Sequence, residues 1–359
     1  MINYKGNEFN PDYLPPPGET LQELLSHYGM SHTELAKRIG RTYKTVNEIV
    51  NGKAVINADT ALRLEKVFGV SAGFWTNLEQ QYRVYLARQD EAEQLENVTG
   101  WLKQLPVKAM VERGWIEHCP NRIDQLREVL SFFGISELKD WSSLCPEAAF
   151  RETRAFESKP AAVAAWLRAG EVFASRIKTD AFSRSRLLES IPELRSLTLL
   201  DRGFQHRLTE ICAACGVAVV FIPELPGTKL CGASRWTKKD KALVQLSMRY
   251  KTDDQLWFTL FHEIAHLLSH GKRTVFLDEE DSVKNQLERE ADEFAADILI
   301  PRNEYRSFCA NEDFSEITLC RFARNIGISP GIVVGRLQHD GRCRWDNRLN
   351  KLKKKIRFD

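Results

Sequence analysis

Three side chains in the stretch FTLFHEIAHLLSHG (residues 258–271) have the types and spacing of a metal-dependent hydrolytic centre: His262, Glu263 and His266. On a helix, residues four apart stand one turn above each other on the same face. Two imidazoles so placed can grip one zinc ion, with Glu263 beside them as general base. Asp253 and Asp254 supply a helix start and Gly271 a stop. Between them Leu256, Trp257, Phe258, Leu260, Phe261, Ile264, Ala265, Leu267 and Leu268 make the helix apolar nearly all round, so the spacing predicts a buried helix. Burying this motif without partners is costly, and a metal would satisfy three polar groups at once. The plainer alternative is a pair of core histidines with ordinary hydrogen bonds.

A third ligand is at hand. NQLEREADEFAADILIP (285–301) reads as a second helix stopped by Pro301, reached through an acidic loop, residues 278–281. Its apolar face runs through Leu287, Ala291, Phe294, Ala295, Ile298 and Leu299. Glu288 belongs beside that face, with Asp292 one turn on; Glu290 falls with Glu293 and Asp297 on the charged side. Periodicity therefore nominates Glu288 as the inward carboxylate. Asp292 is nominated as the acceptor of a ligand histidine's second ring N–H. Two histidines and one glutamate leave a position for water, the pattern of a catalytic rather than a structural zinc site.

The elements that must position this centre belong to a chain of 359 residues, long enough for two or three domains. Lysine plus arginine (51) nearly balance aspartate plus glutamate (49), so any basic surface has to be local. No apolar run is long enough to span a membrane, and the first residues do not open a signal peptide, which predicts a soluble cytoplasmic protein. The eight cysteines are scattered. Cys212 and Cys215 fit the end of a helix and read as structural, the rest as small core residues in a reducing compartment.

Residues 1–18 read as an extended arm ending in Pro15-Pro16-Pro17-Gly18. From 19 to 90 the pattern is five helices, started by Thr20, Ser31 (a capping box with Glu34), Thr42, Asn57 or Asp59, and Ser71. Helix, turn at Gly40, helix is a helix-turn-helix arrangement, whose second member is expected to enter a major groove. Lys37, Arg38, Arg41, Lys44 and Lys53 cluster there against one acid, Glu48, a local phosphate-binding footprint. Tyr43, Lys44, Thr45 and Asn47 project from that helix, where base edges are read. A protein-interaction bundle is the bland alternative.

Residues 91–202 predict a helical linker domain, with Trp101, Leu102, Leu105, Trp115, Ile116, Phe132, Phe133, Trp141, Trp166, Leu167 and Phe173 as core. Its arginines, among them Arg176, Arg184, Arg186 and Arg195, read as a solvated surface. From 203 to 345 a helix (204–214), a buried strand (217–223) and two further strands (231–236, 241–248) lead into the His-Glu-x-x-His helix. The expected fold there is α+β, a small mixed or antiparallel sheet packed on the active-site helix, with an edge able to hold an extended peptide. Candidates for an oxyanion donor are His270, Tyr305, Arg336 and His339. Residues 313–339 repeat a helix–turn–helix-like pattern but lack a basic cluster, and residues 346–359 read as a basic tail.

Two resemblances follow. Residues 19–82, including TVNEIVNGKA and FWTNLEQQY, resemble the helix-turn-helix of HigA-type antitoxins in the Xre repressor family. The segment 203–344, with GASRW, ALVQLS, LFHEIAHLLSHG and EREADEFAADILIP, resembles the ImmA/IrrE metallopeptidases. The first implies a homodimer on double-stranded operator DNA and autoregulation of a toxin–antitoxin operon. The second implies a zincin-like fold that binds Zn2+ through His262, His266 and a glutamate of the EREAD stretch, and that cuts a repressor or other partner protein. Glu-x-x-x-Asp is also the gluzincin arrangement, which again selects Glu288 with Asp292. Because the preceding loop varies in length in such families, Glu290 stays open as the alternative. The whole predicts a DNA-binding regulator carrying a zinc endopeptidase. The competing reading is a HigA-like autorepressor whose metallopeptidase-like domain senses or binds without turnover.

Overall fold

The computed structural model describes residues 13–141, 159–228, 230–247, 249, 252–269, 281–345 and 348–356, the side chains of 281–285 excepted. The N-terminal arm up to residue 12, His270 and the acidic loop before residue 281 therefore lie outside the described residues. The chain divides into two units, residues 1–100 and 101–359.

The first unit is all helical: α1 (Pro17–His27), α2 (His32–Ile39), α3 (Tyr43–Val50), α4 (Ala58–Phe68) and α5 (Ala72–Glu96). The expected caps form. Ser31, Thr42, Asn57 and Ser71 each accept a hydrogen bond from the backbone N–H three residues on, at Glu34, Thr45, Thr60 and Phe74. The first helix begins at Pro17, three residues before Thr20, because proline suits the first helical turn. Gly40 closes α2 with φ +61°, a left-handed position that costs glycine nothing, and this sets the turn into α3. Leu21, Leu25, Leu35, Ile39, Val46, Ile49, Leu64 and Trp75 fill the core.

The second unit starts with helices: a 3-10 segment (Thr99–Gln104) running into it, α6 (Val107–Glu112), α7 (Arg122–Phe133), a 3-10 turn (Leu138–Asp140), α8 (Pro160–Ser175), α9 (Arg184–Ser196), a 3-10 turn (Leu197–Leu199) and α10 (Phe204–Ala214). Then come β1 (Val217–Ile222), β2 (Gly232–Lys238) and β3 (Lys241–Ser247). The sheet is mixed, in the order β1-β3-β2, with β1 parallel and β2 antiparallel to β3. It is followed by α11 (Asp253–Ser269), α12 (Asp281–Leu299), α13 (Arg302–Ala310), α14 (Glu316–Ile326), α15 (Pro330–His339) and a final 3-10 segment (Arg348–Leu352).

Alternation along the strands divides the packing between the two faces of the sheet. Val217, Val219, Ala242, Val244 and Leu246 meet α11 and its neighbours, while Ala218, Val220, Ile222 and Leu243 meet α6, α7 and α8. Among the described residues, α6, α7 and α8 of the expected linker domain over 91–202 share their core with this face of the sheet. Their aromatic side chains, Phe132, Phe133 and Trp166, cover the second face of the sheet. Phe173, expected in the core, is 38% exposed and lies under the guanidinium of Arg176. Cys212 and Cys215 are buried free thiols, and burial pushes Cys212 above the ordinary thiol range. In α15, Ile332, Val333, Val334 and Leu337 are buried, so this second helix–turn–helix pattern is spent on packing.

Three polar ties differ from the expectation of solvated charges. Arg184 Nε donates to the Leu268 carbonyl at 3.1 Å, and Arg195 Nε and Nη2 donate to those of Ile298 and Leu299 at 2.8 and 3.0 Å. These arginines satisfy the last carbonyls of α11 and α12, where a helix leaves acceptors unpaired and favours a cation. At the other end of α11, the basic tail is folded in. Lys353 Nζ sits 2.7 Å from Asp254 Oδ2, with the two side chains 11% and 5% exposed. Lys354 N donates to Asp253 Oδ1 at 2.9 Å, and Asp253 N donates back to Lys354 O at 3.0 Å. Asp253 and Asp254 thus do more than start the helix: they anchor the C-terminal segment beneath it.

Candidate metal centre and candidate nucleic-acid interface

Helix α11 brings His262 and His266 onto one face with their rings 4.7 Å apart, and α12 packs along that face. His262 Nε2 and His266 Nε2 lie 3.0 Å from each other. Glu288 Oε2 is 3.2 Å from the first and 3.6 Å from the second. One ligand atom from each of the three residues lies within 4.8 Å of the others, the one such group among the described residues. Two imidazole nitrogens and one carboxylate oxygen pointing at a common place are a donor set that fits a borderline divalent cation such as Zn2+. Glu290 is turned outward and takes a hydrogen bond from Gln286 at 2.9 Å. On the far side of His262, Asp292 Oδ1 is 2.9 Å from Nδ1, which leaves Nε2 to face the group.

The electrostatics follow from this crowding. Burial opposes a charge on His262, but its hydrogen bonds to Asp292 and Glu288 and the nearby Glu263 outweigh burial and lift its pKa to about 10. Hydrogen bonds from His262 and His266 hold Glu288 well below the usual carboxylate range. Burial pushes Glu263 up, opposed by the two histidines and by the Ser234 hydroxyl, which donates to it. A proton on His262 and a cation compete for the same lone pair, so the group is poised to exchange one for the other.

Glu263 is 8% exposed and meets the edge strand β2. Gly232 and Ser234 lie against it on the α11 face, whereas Arg235 points to the opposite face, where it donates to Leu167 O and to Gln245 Oε1. Neither Gly232 nor Ser234 was singled out by the motif. The alternation of GASRW could have pointed to them, since it places residues 232, 234 and 236 together. Of the expected oxyanion donors, His270 lies outside the described residues, and the other three converge on Asp340. Tyr305 donates to Asp340 Oδ2 at 2.8 Å, Arg336 Nε donates to the same oxygen at 2.9 Å, and His339 Nδ1 is 3.1 Å from Asp340 Oδ1.

In the first unit, α3 presents Tyr43 and Lys44, with Lys44 83% exposed and 3.8 Å from Glu48. Lys37 and Lys53 are exposed as well. Thr45 is tied to Thr42, hydroxyl to hydroxyl, at 2.9 Å, and Asn47 Oδ1 accepts from Asn51 at 3.3 Å. Two residues of the expected basic cluster have acidic partners: Arg38 pairs with Glu34 at 2.5 Å and Arg41 pairs with Asp59. Among the described residues no helix is long and apolar enough to cross a membrane.

Comparison with known proteins divides along the same units. Residues 21–75 match the helix-turn-helix family and residues 217–338 the IrrE N-terminal-like domain, Peptidase_M78. Virulence-associated protein I of Dichelobacter nodosus is 42% identical over 76 residues, 21% of this chain and 70% of the relative. An addiction module antidote protein of a HigA family from Coxiella burnetii is 39% identical, covering 23% of this chain and 92% of that one, with a TM-score of 0.22. The structure of Pseudomonas aeruginosa antitoxin HigA with the higBA promoter matches at 36% identity over 24% of this chain and 94% of that one, with a TM-score of 0.23. These likenesses span about a quarter of the chain. Through residues 21–75 the chain belongs to the helix-turn-helix family of Xre type, and through residues 217–338 it carries a domain of the IrrE N-terminal-like, Peptidase_M78 family.

Proposed function

We propose that this protein is a DNA-binding transcriptional regulator whose second unit is a zinc-dependent endopeptidase acting on a repressor or toxin–antitoxin partner. The observation that carries the reading is the convergence of His262, His266 and Glu288 within 4.8 Å, with Glu263 buried beside them. His262, His266 and Glu288 would hold the Zn2+, and Asp292 orients His262. When bound, the ion supplies Lewis acidity, making water acidic near neutral pH and polarising the scissile carbonyl. Glu263 takes the water proton and returns it to the leaving amine. The preference for Glu288 over Glu290 rests on the distances above.

The substrate is a peptide in extended form. Among the described residues no strand pairs with the outer side of β2. Ser247 N donates to Cys231 O, so residues 231, 233 and 235 bond to β3 while the main-chain groups of 232, 234 and 236 face the open edge. Ser234→Pro removes one edge donor and is expected to abolish substrate binding but not metal binding. Ser234→Ala is the control for the lost hydroxyl. For the DNA half, α3 enters the major groove of operator DNA, as the higBA promoter named with the HigA relative suggests, and a homodimer reads two half-sites.

The deciding experiment measures zinc content under non-chelating conditions and cleavage of proteins encoded beside this one, with Glu263→Gln as control. Zinc retained with cleavage lost supports the mechanism, and unchanged cleavage in the variant refutes it. A wild-type protein that binds zinc but cleaves nothing, or binds none, favours the autorepressor with a non-catalytic domain.

A further inference from the structure

We propose that Gly232 and Ser234 on β2 are positioning residues for Glu263, forming a socket that admits the glutamate side chain only because residue 232 has none. The functional consequence rests on the peptidase reading; the socket itself rests on packing. A β-carbon at position 232 would fall 2.8 Å from Glu263 Oε1, 3.0 Å from its Cγ and 2.6 Å from Thr259 Cγ2. Carbon atoms do not pack that closely, so something must move. Thr259 and Glu263 are four apart on α11, and Gly232 therefore lies in the groove between two successive turns.

The strand is the part least able to yield. Its start is tied by Ser247 N to Cys231 O at 2.8 Å, and farther along Trp236 packs against Phe182 with ring centroids 4.7 Å apart. Thr259 is β-branched and restricted in a helix. The displacement falls on the carboxylate of Glu263, which is also the group that must meet the water. The Ser234 hydroxyl, two residues along the same face, donates to that carboxylate and fixes its rotation. The metal-facing side chains are not part of the socket, so proton transfer and metal binding are separable.

The test is Gly232→Ala in the full-length protein, alone and combined with Thr259→Ser, which removes the methyl nearest the new carbon. The single variant is expected to keep one metal per chain while kcat falls about 30-fold or more and KM moves by less than about threefold, since a misplaced proton acceptor weakens the transition state rather than substrate binding. Thr259→Ser in the same chain is expected to restore about tenfold of the kcat. Full kcat in Gly232→Ala, or a loss that follows metal content, overturns the proposal.

A second readout needs no turnover. In the metal-free protein, the unfolding midpoints of Gly232→Ala, Glu263→Ala and the double variant form a cycle. Direct contact predicts that the alanine at 232 costs clearly less once Glu263 is shortened. Additive effects refute the socket, whereas non-additive effects with no cleavage by the wild type retain the socket and refute the peptidase reading. Should Gly232→Ala fail to fold, Ser234→Ala, which adds no bulk, is expected to lower kcat about tenfold with metal content unchanged, and wild-type kcat there overturns the proposal.

Discussion

Asp292 Oδ1 stands 2.9 Å from His262 Nδ1, thirty residues away in sequence and on the next helix. The contact fixes which ring nitrogen of His262 faces His266 and Glu288, so a residue outside the three-residue group selects the donor atom of one of its members. Removing it leaves the ring free to rotate and lowers its basicity. Asp292→Ala is therefore expected to weaken Zn2+ affinity about 10–100-fold, measured by competition with a chromophoric chelator, with the fold intact by circular dichroism. Asp292→Asn keeps an acceptor and should lie between. Unchanged affinity in Asp292→Ala would refute the orienting role.

The raised pKa of His262, about 10, has a definite sign. The folded value lies above the ordinary 6.5, so the imidazolium stabilises the metal-free fold fully below about pH 6.5 and this contribution is lost as pH rises towards 10. Zn2+ must displace that proton. Calorimetric titration near pH 7.5 in buffers of differing ionisation enthalpy is expected to show about one proton released per metal from His262, and correspondingly less in His262→Ala. Zero proton release by the wild type would contradict the ion-paired imidazolium.

The candidate metal group is the most legible grouping in the chain, because every residue in it follows helical periodicity: His262 and His266 at i, i+4, then Glu288 and Asp292 at i, i+4 on a helix whose apolar stripe can be counted. The caps at Ser31, Thr42 and Asn57 were legible for the same local reason. What escaped are partners far apart in sequence. Arg195 reaches carbonyls of residues 298 and 299, and Arg41 meets Asp59 across the turn and α3. A charge run is informative about solubility, but which charge finds a buried acceptor depends on tertiary approach. The apolar residues between 101 and 174 are legible in the same way, yet their periodicity carries no information on whether a helix or a sheet face covers them.

The C-terminal segment tests that point. Lys353 is buried against Asp254 and beneath Trp345, whereas Lys351 pairs with Glu316 in solvent. Lys353→Met leaves a buried carboxylate without its cation and is expected to destabilise the second unit by about 3–5 kcal/mol in denaturant unfolding. Lys351→Met is expected to cost less than about 1 kcal/mol. Equal effects would mean that the tail behaves as a solvated appendage after all.

On the DNA side, the ion pairs divide the basic residues into two kinds. Lys44 is 83% exposed with only a loose partner, and it is free to meet a phosphate; Asn47 lies on the same helix, three residues on. Lys44→Ala is expected to weaken operator binding at all sequences and to reduce the slope of log affinity against log salt by about 1. Asn47→Ala is expected to cost about 1–3 kcal/mol and to relax base preference at one position. Together they should abolish operator binding, read by fluorescence anisotropy, while metal content stays unchanged. Arg41 is held by Asp59 and adjoins Thr60, so Arg41→Ala should act mainly through the fold, lowering the unfolding midpoint of the first unit with little change in the salt slope. If Arg41→Ala instead takes a full unit from the slope and leaves the midpoint alone, the arginine leaves Asp59 for a phosphate on binding. The footprint is then the larger one that the charge pattern of the sequence suggests.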